Sequence, residues 1–79
     1  MNYDKGFKEL KELFKDTNYE SEILILEQRF RDNEHEIHLF GEDNEAKVRR
    51  NKLIYRLNQI SKLNYRSGEN PRSFNDMCR

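Results

Sequence analysis

Tyr19, Ile23, Leu26, Phe30, Asn33, Ile37 and Phe40 follow one another in steps of four and three without a slip. That spacing belongs to a long α-helix with one face packed against neighbours, because a strand would repeat every two residues. Leu24, Ile25 and Leu39 widen the apolar face beyond a two-stranded seam, so more than one partner helix is expected against it. Thr17 and Glu20 have capping-box spacing at its start, and Gly41 supplies a left-handed stop at its end.

The segments on either side read the same way. Tyr3, Phe7, Leu10, Leu13 and Phe14 predict a short amphipathic helix with Asp4 as its N-cap, weakened at Gly6 and closed by Asp16, Thr17 and Asn18. Past Glu42, an N-cap at Asp43 or Asn44 opens a third helix, which buries Val48, Leu53, Ile54, Leu57, Ile60 and Leu63. A connection of only a few residues makes the second and third helices antiparallel neighbours. The fold class expected is all-α: a small three-helix bundle built on a long antiparallel helical hairpin, with a helical interaction domain over residues 1–65. Residues 66–79 are polar and contain Gly68 and Pro71, so they read as a linker or flexible, disordered tail.

Charge is split along the chain. Residues 1–45 carry 13 acids and 6 bases, a net of −7, whereas residues 46–79 carry 9 bases and 2 acids, a net of +7. The second helix is acidic and the third basic, so the two faces attract within one chain or between chains. Glu22, Glu27, Asp32, Glu34 and Glu36 on one copy and Arg49, Arg50, Lys52 and Arg56 on another are the candidate interaction residues. Such a contact does not close on itself and can propagate. Asn33 and Asn51 interrupt apolar stripes, where an asparagine can set register or bond to a neighbouring helix end.

A chain of 79 residues forms one modest core, which favours binding over a deep catalytic cleft. No serine or cysteine stands in a nucleophile context, and no phosphate-loop or dinucleotide glycine pattern occurs, so no enzyme and no cofactor is expected. His35 and His38 lack the metalloprotease spacing and a third ligand. With zero net charge, nucleic acid is a weak candidate partner, although the basic stretch around Tyr55 admits a small helical nucleic-acid binder as an alternative. The longest apolar run, Ile23 to Leu26, is far too short to span a bilayer, and a lone Cys78 fits a reducing cytoplasm. A further alternative is a self-contained hairpin that dimerises into a four-helix bundle through the Tyr19 to Phe40 seam.

Ile25 to Phe30, then Asn33 and Glu34, the Gly41 turn, and Val48 to Ile60 with Asn51, Lys52, Leu53, Leu57 and Ile60, resemble the effector-associated, death-like helical adaptor domains of bacterial conflict (defence) proteins. The match covers about residues 7 to 63. It departs from the pattern in having Glu42 and Asp43 after the turn glycine and in its short first helix. The resemblance implies a non-enzymatic homotypic or adaptor module that couples a sensor or NTPase to an effector in immune or programmed-death signalling.

Overall fold

The computed structural model describes residues 1–63 and 72–79. Within them the chain is all-helical: α1 (Tyr3–Leu13), α2 (Glu20–Phe40), α3 (Asn44–Ser61) and a short α4 (Phe74–Met77). The three long helices are those the apolar spacing predicts, and no strand occurs among the described residues.

Local chemistry sets the ends, although not always through the residues expected. The N-cap of α1 is Asn2, whose side chain accepts from the Lys5 amide at 3.1 Å, so Asp4 already lies inside the helix. The capping box at α2 does not form. Its Thr17 hydroxyl donates to the Phe14 carbonyl and accepts weakly from the Tyr19 amide, while the Glu20 carboxylate accepts from the Asp16 amide. These bonds hold the turn between α1 and α2, in which Asp16 sits at φ +63°, instead of capping α2 itself. Gly41, at φ +87°, ends α2 where an L side chain would be strained, and Asp43 caps α3 through the Ala46 amide at 2.8 Å.

The core joins Phe7, Leu10 and Phe14 of α1 to Ile23, Leu26 and Phe30 of α2 and to Leu57 and Ile60 of α3. The expected apolar faces are narrower in fact. Leu24, Ile25 and Leu39 do not widen the buried face of α2 but are exposed, as are Val48 of α3 and Leu63 just past its end. The uncovered end of α2 follows from length. α1 spans 11 residues against 21 in α2, about 16 Å against about 31 Å, so it covers only the first part of α2. Lys11 meets Glu27 and Asp4 meets Arg31, which places the start of α1 near the middle of α2 and leaves the last turns of α2 uncovered.

Residues 72–79 correct the expectation of a solvated tail; the rest of that segment, 66–71, lies outside the described residues. Phe74, Met77 and Cys78 are fully buried in the core. Ser73 caps α4 through the Asp76 amide, the Asn2 amide donates to the Cys78 carbonyl at 2.7 Å, and Arg72 pairs with Glu9. Phe74 lies tilted against Phe7 at 4.8 Å and stacked with Tyr3 at 6.5 Å, completing a ring cluster with Phe30. Gly6 explains how α4 comes so close: a Cβ there would lie 2.2 Å from Cys78 Sγ. Its conformational cost in α1 thus has a packing reason. Burial pushes the Cys78 thiol above its ordinary value.

Candidate interaction surface

The nine charged residues expected to meet another molecule mostly meet each other. Arg56 Nε and Nη2 donate to the two carboxylate oxygens of Glu22 at 2.6 and 2.9 Å, a bidentate pair joining the start of α2 to the second half of α3. Hydrogen bonding from Arg56 holds the Glu22 carboxyl below the usual glutamate range, against a smaller opposing effect of burial. Near the other end of α2, Arg49 Nη2 donates to Glu36 at 3.0 Å. Arg50 lies 3.5 Å from Glu34 and pairs with Glu42, on the opposite edge of the helix pair. Glu27 turns toward α1, held by Lys11 and Arg31. Asp32 accepts from Gln28 within its own helix, and Lys52 has no ion pair among the described residues.

These pairs are partly exposed, so solvent screening leaves each adding little to stability. Their consequence is for register: Glu22, Glu34 and Glu36 of α2 are matched to Arg56, Arg50 and Arg49 of α3 inside the chain.

Asn33 is the polar lock of this arrangement. It is buried, its Nδ2 donates to the Ala46 carbonyl at 3.0 Å, and its Oδ1 accepts from Arg49 Nε at 2.8 Å. An apolar residue at this seam position would remove a buried donor from the Ala46 carbonyl and the acceptor of Arg49 Nε, breaking two bonds between α2 and α3. Asn33→Ala should therefore cost about 1–3 kcal/mol in urea unfolding, more than an exposed substitution of equal size. Asn51, by contrast, is exposed on the outer face of α3 and fixes nothing.

Between α2 and α3 runs an open groove of about 530 Å³, floored by Leu26, Asn33 and Leu53 and edged by Arg29, Asp32 and Lys52. It brings Asp32, Glu36, Arg49 and Lys52 of the candidate set to one place, while Glu27 and the Glu34–Arg50 pair lie elsewhere. His35 and His38 are both exposed. Among the described residues no group of three or more His, Cys, Asp or Glu side chains could hold a metal ion, and no helix is long and apolar enough to cross a membrane.

What sequence reasoning missed is the outward apolar set. Leu24 is 49%, Ile25 53%, Leu39 57%, Tyr55 67% and Phe40 83% exposed. The available signal is the excess of apolar residues in α2 over what one seam requires.

Fold and surface together define a small all-α domain with a polar-locked pair of long helices and large apolar side chains on its exterior. No protein-family model matches the chain, and neither a curated protein nor a solved structure does.

Proposed function

We propose that this chain is a non-enzymatic protein–protein interaction module, a helical bundle on an antiparallel α2–α3 hairpin that acts in the cytoplasm. Following the resemblance of residues 7 to 63, its setting is bacterial immune or programmed-death signalling, where it joins a sensor or NTPase to an effector. The observation that carries the reading is the number of large apolar side chains left outside the core: Leu24, Ile25, Leu39, Phe40 and Tyr55. Single exposed apolar residues are ordinary, but several on one pair of helices mark a surface that another protein covers.

Charge plays a narrower part than the sequence suggests. With Glu22, Glu34, Glu36, Arg49, Arg50 and Arg56 paired inside the chain, recruitment rests on apolar contact, with Asp32 and Lys52 left to orient it. The Tyr19 to Phe40 seam is a poor dimer interface, since Ile23, Leu26 and Phe30 are buried within one chain.

A bacterial two-hybrid assay of the chain against itself and against the products of adjacent genes tests this. At least one pairing is expected, weakened by Ile25→Asp or Phe40→Asp, with the variants retaining helical circular dichroism. Silence against every candidate from a folded chain would sink the reading.

A further inference from the structure

Glu22 and Glu36 of α2 bridge to Arg56 and Arg49 of α3, and the residue midway between the two acids is Arg29, seven positions from each. Seven residues make about two turns, so Arg29 shares their face of α2. Lys52, between Arg49 and Arg56 in sequence, shares the facing side of α3. The ladder of acid on base is thus interrupted at its centre by base on base. We infer that this centre is a carboxylate-binding site, and that the α2–α3 groove around it takes a short acidic peptide segment of a partner protein, with Arg29 and Lys52 gripping an Asp or Glu side chain.

The chain itself makes no use of these two cations. Arg49 and Arg56 are spent on Glu36 and Glu22, whereas Arg29 and Lys52 are exposed and have no ion pair among the described residues. A glutamate at position 29 would continue the ladder. An arginine there sets like charges on both walls of one groove, an arrangement that repels in the free chain and attracts once an anion lies between them.

The rest of the groove selects the kind of anion. Its volume of about 530 Å³ suits a few side chains, and its floor is apolar, made by buried Leu26 and partly buried Leu53. The two bridges that bracket it lie about 21 Å apart along α2, the rise of the fourteen residues from Glu22 to Glu36. Asp32 and Glu36 line the same groove, so a polyphosphate chain would meet carboxylates there, while a single carboxylate beside an apolar side chain meets Arg29, Lys52 and the leucine floor. Asp32 receives the Gln28 amide on Oδ1, and its Oδ2 is left to accept an N–H of the segment. This inference rests on the interaction-module reading and adds the chemistry of the partner.

Panning a random-peptide phage library against the full chain is the test. Enriched sequences should carry Asp or Glu close to Leu, Ile, Phe or Met, and a synthetic peptide of the strongest one should bind in isothermal titration with an affinity that falls as salt is raised. Arg29→Gln and Lys52→Gln should each weaken binding about tenfold or more, since each removes a charge-assisted hydrogen bond to the carboxylate. The urea midpoint should stay where it is in both variants, because neither side chain is paired within the fold. Replacing the peptide's acid by its amide should cost as much against the unaltered chain and little against the variants. No enrichment, binding indifferent to both glutamine substitutions, or a loss of binding that comes with a lower urea midpoint overturns the carboxylate site. A two-hybrid partner lost with Ile25→Asp or Phe40→Asp but kept with Arg29→Gln and Lys52→Gln would discard the groove and leave the interaction module standing.

Discussion

Phe74→Ala should cost about 3–5 kcal/mol, enough to leave the chain largely unfolded at 25 °C, although the residue stands within a segment, 66–79, whose composition reads as a linker. Its ring is fully buried, 4.8 Å from Phe7 and 6.5 Å from Tyr3, and lies close against Gly6. Truncation would leave a cavity bounded by α1 and α3, and a domain this small has little stability to spare. Equilibrium urea unfolding followed by circular dichroism measures the loss. A cost below 1 kcal/mol would mean that the C-terminal residues only rest on a bundle complete without them. The comparison residue is Arg79, whose side chain is 77% exposed and whose replacement by alanine should be nearly silent.

That segment also shows where the fold was legible and where it was not. Periodicity works on runs long enough to repeat, so Tyr3 to Phe14, Tyr19 to Phe40 and Val48 to Leu63 announced their helices. α4 is a single turn, in which Phe74 and Met77 are two apolar residues three apart, too little repetition to separate from a loop. Its burial depends on Gly6, some seventy residues away in sequence, where the missing side chain admits Cys78. A close approach between distant segments has no local signature. Charge was legible in kind but not in destination: opposite signs on α2 and α3 were evident, yet only the paired geometry of Glu22 with Arg56 and Glu36 with Arg49 shows them spent within one chain. Asn33 was visible as a polar intrusion in a seam, and it does bond to the start of α3. Asn51 interrupts a stripe as well, but its position on α3 faces water.

The sharpest test of how far the core extends along α2 uses two phenylalanines ten residues apart on the same apolar repeat. Phe30→Ala should destabilise by about 3–5 kcal/mol, whereas Phe40→Ala should change stability by no more than about 0.5 kcal/mol. Phe30 is 3% exposed and touches rings on α1, with Tyr3 at 4.6 Å and Phe7 at 5.5 Å, so its loss opens a void where three helices converge. Phe40 is 83% exposed on the last turn of α2, beyond the reach of α1, and buries almost nothing to lose. The periodic pattern assigns both to one seam; the structure divides it, because a helix of 11 residues cannot cover one of 21. The same pair separates folding from recognition. Phe30→Ala should abolish any protein association together with the helical signal, while Phe40→Asp should impair partner binding in a chain that still unfolds at the unaltered urea midpoint. Equal destabilisation by the two alanine substitutions would place the end of α2 inside the core and remove the exposed surface on which the interaction role depends.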